Sequence, residues 1–249
     1  NKTKGFNGSF TISPGQGIYP KNTNSLQLNY RNGKFNTFLN YSMNYSKYLL
    51  DMYALRKYYG DDGELLAVLD QPTYLSGTFL NNTLKTGIDY FVTPKTTIGA
   101  VFSGTAIQRK SNGDASATWM DAEGKIDSAI TTTSTNNNHF KSGSVNLNLR
   151  HTINQSQDIA MDIDWLNYSM TNQPTFKNEL DAAGGYKEAN QGNISSVIHI
   201  ISGKADHTLR MAKNTTLQSG IKLSQISTDN ASVFQVYDGN GWQADNGKS

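Results

Sequence analysis

Short turns in this chain are flanked on both sides by stretches in which apolar and polar residues alternate. Before the dipeptide Asn32-Gly33, apolar residues occupy every second position of 26–30, and after it they dominate every second position of 35–45. Period-two alternation predicts strands with one apolar and one polar face. Asn-Gly between two such runs is the strongest local signal for a two-residue hairpin turn. The segment 26–45 therefore predicts an antiparallel β-hairpin.

The same arrangement recurs along the chain. Alternating runs flank further turns centred near Pro94, Gln155 and Lys213, so that the successive intervals from Asn32 are 62, 61 and 58 residues. One more alternating run, at 6–12, precedes them all. The sequence therefore predicts an all-β protein, an antiparallel up-and-down meander of about nine long strands.

Polar segments separate these hairpins. They cover 47–78, 109–140, 171–195 and the chain from 229 onwards, and they are rich in Asn, Asp, Gly, Ser and Thr. Connections in compact soluble domains have a median length of about 4–6 residues. Outer-membrane β-barrels instead combine short turns on one side with long loops on the other. We interpret the four segments as long polar loops, so the chain is predicted to be part of an outer-membrane β-barrel.

The segment 48–59 allows two interpretations. Leu49, Met52 and Arg56 have the spacing of one face of a short helix, but the segment could also continue the preceding strand to a turn at 61–63. Because the alternation runs into it without a helix cap or a breaker, we favour an extended hairpin.

Composition agrees with a sheet that has one wet face. Charged residues make up 17% of the chain and hydrophobic residues 36%, and Asn, Ser, Thr and Gly are abundant beside 13 Tyr and 10 Phe. Neutral polar residues interleaved with aromatics suit such a sheet. A net charge of +2 without a Lys/Arg block argues against nucleic acid as a partner. With no Cys, disulfides and thiolate metal sites are excluded.

Aromatic residues cluster near the two ends of the predicted strands. An outer-membrane barrel carries aromatic girdles at both interfaces, although Tyr also favours strands in general, and both explanations remain open. The residues concerned are Tyr30, Tyr90 and Phe91 near the tight turns, and Tyr41, Tyr45, Tyr48 and Tyr168 near the far ends.

Side chains that could hold a metal do not form a recognisable motif. The four histidines, His139, His151, His199 and His207, lack the spacing of zinc ligands. The stretches 61–64 and 238–241 are oxygen-rich, but neither completes a calcium-binding loop, and turn formation explains both. We expect no metal and no cofactor.

Catalytic motifs are also missing from the sequence. We find no nucleophile elbow, phosphate loop or dinucleotide fingerprint. Asp162 and Asp164 lie two residues apart and so share one face of a strand, where we expect them to line a wet lumen rather than to act as an acid/base pair. The chain is not expected to be an enzyme.

Several segments resemble the outer-membrane β-barrel family common in Bacteroidetes, which is related to TonB-dependent receptors. The similar residues are Gly5-Phe6-Asn7-Gly8-Ser9, Leu26-Gln27-Leu28-Asn29-Tyr30-Arg31, Phe38-Leu39-Asn40-Tyr41-Ser42, Gly87-Ile88-Asp89-Tyr90-Phe91, Tyr59-Gly60-Asp61-Asp62-Gly63 and Lys204-Ala205-Asp206. The resemblance spans essentially the whole chain, but it consists of short strand patterns and not of a catalytic signature.

This resemblance implies a barrel of TonB-dependent-receptor type, with roughly 22 strands in the full protein. It further implies a plug domain and a TonB-contacting segment, neither of which is evident here. Residues 1–249 would then form a single partial β-barrel domain of a larger protein, without plug and remaining strands. The family binds diverse ligands, so the small-molecule, glycan or peptide ligand stays open.

The alternation also assigns residues to the two sides of the barrel wall. The apolar set is expected to face outer-membrane lipid and comprises Leu39, Tyr41, Ile98, Phe102, Leu147, Leu149, Met161 and Ile163. The polar set is expected to face the lumen and the plug and comprises Asn36, Asn40, Asn146, Asn148, Asp162 and Asp164. The predicted function is nutrient uptake or surface ligand binding in the outer membrane of a Gram-negative bacterium.

A second hypothesis comes from a different class of protein. The chain could be a secreted soluble β-sandwich that binds glycans, with Tyr53, Tyr58, Trp119 or Trp242 as stacking platforms. If it is instead a partial barrel, its first and last strands expose unpaired backbone groups, and we expect the isolated fragment to close on itself or to self-associate through these edges.

Overall fold

The computed structural model describes residues 4–181, 185, 187–212, 215–245 and 247. Ten β-strands make up nearly all of this part of the chain. They are β1 (Lys4–Gln16), β2 (Pro20–Asn32), β3 (Phe35–Tyr59), β4 (Leu65–Thr93), β5 (Thr96–Asp121), β6 (Ile126–Asn154), β7 (Gln157–Leu180), β8 (Lys187–Ala212), β9 (Thr215–Tyr237) and β10 (Trp242–Ala244).

All ten strands belong to one antiparallel sheet. Each strand pairs with its neighbours in the sequence, in the order β1 to β10. The predicted up-and-down meander is confirmed, with nine long strands and the three-residue β10 added at one edge. Such a meander needs no crossover, because every connection is a hairpin.

The tight turns of the sequence pattern are confirmed where the structure describes them. Strands β2 and β3, β4 and β5, and β6 and β7 are joined by the two-residue connections 33–34, 94–95 and 155–156. In the first, Gly33 has φ = 57°, a conformation that glycine adopts without the steric cost of a Cβ. The fourth predicted turn, at 213–214, lies outside the described residues.

The interpretation of the polar segments as long loops is wrong. Strands β3 to β8 are 24–29 residues long and continue through 47–78, 109–140 and most of 171–195. A strand needs only about 9–11 residues to cross a membrane. The extra length projects beyond that distance as paired β-hairpins. Polar residues are interspersed on both faces of these segments, although 47–78 also exposes Leu50, Met52, Leu55 and Leu66, so regular alternation does not mark the full length of the strands.

The extended hairpin favoured for 48–59 is confirmed. Strand β3 continues to Tyr59 with a register irregularity at its last residue, and the chain reverses over 60–64, where Gly63 has φ = 81°. In the corresponding turn between β9 and β10, the backbone N–H groups of Asn240 and Gly241 each donate to Asp238 Oδ1 at 2.9 Å and lower the pKa of that carboxyl group.

Strand register gives each face of the sheet one chemical character. Directly opposed residues share a face, and following these pairs from strand to strand places all eight residues of the predicted apolar set on one side. The same pairs place all six residues of the predicted polar set on the other side. We call these the apolar face and the polar face.

The apolar face is uncovered. Leu147 is 52% and Ile163 is 60% exposed, whereas Asp162 on the polar face is 7% exposed. Among the described residues, Leu69 is the only buried hydrophobic side chain. A β-sandwich would bury its apolar residues between two sheets, so the soluble-sandwich hypothesis is wrong: the described strands form a single layer.

The sheet remains open at both edges within the chain. Strand β1 contacts only β2, and β10 contacts only β9, among the described residues. The expected closure of the chain on itself is therefore not observed. Both edge strands present unpaired backbone N–H and C=O groups to any further strand.

Aromatic rings lie over glycines on the polar face. Tyr48 lies opposite Gly77, and a Cβ built on that glycine would lie 2.6 Å from the Tyr48 hydroxyl. Phe38 covers Gly87 in the same way. Because glycine has no Cβ, the aromatic ring of the opposing residue can lie flat against the polar face of the sheet.

Candidate functional site

One row of polar and charged residues crosses the polar face from β2 to β9. Each member lies directly opposite the next in the register, and the row reads Arg31, Asn36, Asp89, Gly99, Asn148, Asp162, Lys204 and Lys222. Gly99 lies in its middle: a Cβ there would be 2.8 Å from both Asn148 Oδ1 and Asp89 Oδ1. The glycine thus allows the two polar side chains to approach each other across β5.

Asp162 is the centre of this row. Arg150 Nη2 donates to its Oδ1 at 3.1 Å, and Lys204 Nζ lies 3.5 Å from its Oδ2. Lys204 is shared with Asp206, whose Oδ2 lies 3.4 Å away. A carboxylate that is 7% exposed would be costly without such partners. Strand β6 supplies Arg150, β7 supplies Asp162, and β8 supplies Lys204 and Asp206, so forming this cluster requires the observed register.

Asp164 extends the cluster toward the next row. Asn146 Nδ2 donates to Asp164 Oδ1 at 2.7 Å, and Ser202 Oγ donates to Asp164 Oδ2 at 3.5 Å. Asn148 Nδ2 in turn donates to Asn146 Oδ1 at 3.0 Å. Four of the six residues predicted to line the lumen therefore meet in one connected network.

The remaining two predicted polar residues lie apart from this network. Asn36 Nδ2 donates to Asp89 Oδ2 at 3.2 Å, on the far side of Gly99. Asn40 is exposed further along β3. The sequence analysis missed Arg150 and Lys204, which neutralise Asp162, because they are 12 and 42 residues away in the chain and no local pattern connects them.

The cluster borders a groove of about 630 Å³ on the polar face. Its walls include Lys204, Asp206, Gly220 and Lys222, so both charge signs face the same space. A further ion pair lies closer to the tight turns, where Arg210 Nη1 is 2.8 Å from Asp158 Oδ2 and Thr152 Oγ1 donates to Asp158 Oδ1 at 2.9 Å. The polar face thus offers fixed donors, acceptors and charges to whatever contacts it.

The apolar residues of the other face form a band next to the tight turns. We call the edge of this band that lies away from the tight turns its upper edge. The position of this edge along the strand changes from one strand to the next. The first strongly polar residue above it is Lys47 on β3, Lys141 on β6 and Gln225 on β9. Strand pairing places Lys47 on β3 and Val233 on β9 in the same row of the sheet. The edge of the band on β9, at Gln225, is therefore displaced by eight residues from the row of the edge on β3. If the edge of the band is level in a membrane, about eight residues of ~3.3 Å over six strand spacings of ~4.8 Å correspond to a strand tilt of about 40°.

This tilt has the value that barrel closure needs. Strands of outer-membrane barrels are inclined by about 35–45° to the barrel axis. A band that is level in a membrane therefore crosses the strands obliquely, as it does here. In a barrel with untilted strands, the apolar band would end at the same register row on every strand.

The register divides the aromatic residues near the strand ends between the two faces. Tyr30, Tyr90, Tyr41 and Tyr45 lie on the apolar face, but the register places Phe91, Tyr48 and Tyr168 on the polar face. Arg31 lies 4.4 Å from the centre of the Phe91 ring there. Position near a strand end does not decide the face of a residue, whereas residue parity does. Residue parity also places Trp165 on the apolar face, at the upper edge of the band on β7.

Near the tips of the projecting hairpins, aromatic side chains pair. Tyr58 and Trp119 lie on the polar face with their ring centres 5.2 Å apart, and Tyr237 and Trp242 pair at 5.5 Å. Three of the four residues considered as stacking platforms thus belong to aromatic pairs. Tyr53 is 66% exposed on the opposite face.

The histidines lie separately. Thr96 Oγ1 is 2.9 Å from His151 Nδ1, and Asn167 Nδ2 is 3.0 Å from His199 Nδ1. Within the described ranges, no group of three or more His, Asp or Glu residues has the geometry of a metal site. In the same part of the chain, no helix is long and apolar enough to cross a membrane.

A comparison with protein families supplies the decisive observation. Residues 151–249 match the outer membrane protein β-barrel family. This match covers somewhat less than half of the chain, from the end of β6 through β10. Together with the tilted meander and its uncovered apolar band, it assigns the chain to an outer-membrane β-barrel, located in the outer membrane.

Comparisons with individual proteins add little. No curated protein matches the chain in sequence. Among solved structures, the CymD monoaromatic hydrocarbon channel aligns over 94% of this chain and 77% of its own, with 11% identity and a TM-score of 0.33. The Pseudomonas putida toluene transporter TodX aligns over 90% and 86%, with 7% identity and a TM-score of 0.24. Scores this low carry no argument about fold or ligand.

Proposed function

We propose that the chain is the barrel segment of an outer-membrane receptor of the TonB-dependent type, which takes up a nutrient or binds it at the cell surface. In this proposal the apolar face contacts lipid and the polar face surrounds an aqueous lumen. The carrying observation is the charged cluster around Asp162, which lies opposite an apolar band that no other part of the described chain covers.

The chemistry of the polar face supports an interior that holds another molecule. The paired carboxylate of Asp162 gives the wall fixed charges that a docked folded domain could contact. The ion pairs of Asp162 and Asp158 lie near the tight turns, on the periplasmic side in an outer-membrane barrel. A plug domain would contact the wall there. We propose that the full-length protein provides a plug domain and a segment that contacts TonB as a partner.

The projecting hairpins support ligand capture at the outer side. They extend the polar face well beyond the membrane and bring Tyr58 and Trp119 together near its tip. Flat aromatic surfaces beside hydrogen-bonding side chains suit a glycan, a peptide or another small polar ligand. The role proposed is binding and transport and not catalysis.

The open edges of β1 and β10 support a larger barrel. Only full closure removes the unpaired edges of a sheet, so we propose that further strands of the parent protein pair with both edges. In their absence, we expect the isolated fragment to self-associate through the same edges.

Energised uptake distinguishes this proposal from a passive pore. A strain that lacks the gene, with and without the wild-type gene restored, is offered a panel of radiolabelled glycans, peptides and cofactors. We expect at least one compound to enter only when the gene is present, and a protonophore to abolish this entry. Gene-dependent entry that persists with the protonophore would indicate a passive channel and would contradict the proposal.

A further inference from the structure

Although most of the polar face is hydrophilic, its middle carries an apolar patch. Ile107, Phe140 and Met170 lie side by side in one register row of β5, β6 and β7, and Phe79 on β4 and Tyr168 on β7 lie in the adjacent rows of that face. The ring centres of Phe140 and Tyr168 are 6.1 Å apart, and Met170 is 43% exposed. We call these five residues the inner patch. An apolar patch with a polar surround marks a binding surface.

Arg109 lies at the edge of the inner patch, directly opposite Phe79 on one side and Asn138 on the other. Its Nε donates to Tyr48 Oη at 3.1 Å, and its guanidinium carbon lies 5.2 Å from the centre of the Tyr48 ring. Tyr48 therefore holds one side of the guanidinium group. The terminal groups Nη1 and Nη2 donate to no acceptor among the described residues, and the side chain is exposed.

The surroundings of Arg109 on the polar face contain no carboxylate. In the register rows that meet 105–113 of β5, the charged residues on this face of the described strands are Arg109 and Lys21. Lys21 is three strands away, about 14 Å at ~4.8 Å per strand. Glu188 and Asp164 lie six and eight residues from the row of Arg109 along the strands. Arg109 is thus a cation without a counter-ion.

A carboxylate fits the free end of this guanidinium group, because its two oxygens accept the two parallel N–H groups of an arginine fork. A phosphate dianion would need a second cation, and Lys21 is too distant to supply it. Asn138 and Asn172 continue the row of Arg109 across β6 and β7 with carboxamides, which both donate and accept hydrogen bonds. Ligand sites commonly combine an apolar floor with a few such polar groups.

We infer that the lumen wall binds a compound in which a carboxylate is joined to an apolar body. The C-terminus of a short apolar peptide and a free aromatic acid share this chemistry. The carboxylate accepts from Nη1 and Nη2 of Arg109, and the apolar body covers the inner patch. On β5 the outward face becomes polar at Gln108, so the site lies level with the upper edge of the apolar band. The inference rests on the proposed function, in which the polar face surrounds the lumen.

Calorimetric titration of the full-length protein in mild detergent tests this inference. The probes are N-acetyl-phenylalanyl-leucine with a free carboxylate, its C-terminal amide, and 3-phenylpropionate as an acid without a peptide bond. R109Q removes the charge and keeps a hydrogen-bonding side chain, and F140Q removes one ring of the inner patch. The matched control K85Q removes an exposed, unpaired lysine of the same face, six residues from the row of Arg109. Circular dichroism checks the β content of each variant.

We expect the wild type and K85Q to bind the peptide acid at least about tenfold more tightly than its amide, because hydrogen bonds between charged groups are the strong ones. R109Q should bind acid and amide equally. F140Q should weaken both by a similar factor of about five, because it removes only apolar contact. A wild type that does not prefer the acid, a preference that survives in R109Q, or unchanged binding by F140Q would overturn the inference.

The third probe distinguishes the two sources of the carboxylate. Binding of 3-phenylpropionate that depends on Arg109 supports a site for free acids, and binding of the peptide acid alone supports a site for peptides. The result is also separable from the proposed function. Energised entry of other compounds without any acid binding would overturn this inference alone. Acid binding that depends on Arg109 but is not accompanied by energised entry supports this site and contradicts the proposed uptake alone.

Discussion

Replacing Leu147 by Arg is expected to destabilise the folded barrel in a bilayer by about 2–4 kcal/mol. Leu147 lies in the middle of the apolar band, directly opposite Ala100 and Ile163 and 52% exposed. A cation on the lipid side of a barrel strand near the bilayer midplane costs about this much, because hydrocarbon does not solvate it. The free energy of unfolding of the full-length protein in phospholipid vesicles, from denaturant titration, measures the effect.

Ser144→Arg is the matched control for this prediction. Ser144 belongs to the same strand, three residues away, but it lies on the polar face opposite Ser103 and Leu166. We expect its free energy of unfolding to change by less than about 1 kcal/mol, since water or polar groups can solvate the guanidinium there. An equal cost for the two variants would contradict the assignment of the faces.

Replacing Asp162 by Ala is expected to cost about 2 kcal/mol. The substitution leaves the positive charges of Arg150 and Lys204 facing each other without their common carboxylate. Removal of one partner from a fully buried ion pair costs about 3–5 kcal/mol. We reduce this value because the Arg150 and Lys204 side chains are 50% and 42% exposed and solvent screens them in part.

Two further variants separate charge from geometry at this site. D162N keeps an oxygen that can accept from Arg150, so we expect it to recover part of the loss. D206A removes an exposed carboxylate that also contacts Lys204, and we expect it to cost less than about 0.5 kcal/mol. The same denaturant titration measures both variants. If D162A is no more costly than D206A, the cluster does not stabilise the wall.

Much of this fold could be predicted from the sequence because the faces of a strand alternate with a fixed period. Asn32-Gly33 indicated the first hairpin, and the parity of Leu147 and Asn148 separated the two faces. The length of the strands could not be predicted in the same way. Beyond Tyr45 on β3 or Trp165 on β7, apolar residues such as Leu49, Leu50 and Leu166 no longer keep to one face, so the alternation weakens although the pairing continues.

The polar cluster shows why only part of the site was accessible to sequence analysis. The shared face of Asp162 and Asp164 follows from their spacing of two residues. Their partners depend on the register of β6 and β8 against β7, which brings Arg150 and Lys204 to the same carboxylate. Register is a property of the whole sheet. Tyr48 lies near the far end of its strand, but its parity places it on the polar face, so it cannot belong to a lipid-facing girdle.

The position of the bilayer against the sheet tests the central claim most directly. Residues 1–249 contain no Cys, so single cysteines are introduced at Leu147 and at Ser144, any cysteine elsewhere in the full-length protein is replaced by Ser, and each site is labelled with a small environment-sensitive fluorophore. The full-length protein is then reconstituted in vesicles that contain lipids brominated at mid-chain. We predict strong quenching of the label at position 147 and little quenching at position 144. Quenching at 144 that equals or exceeds quenching at 147 would contradict the account.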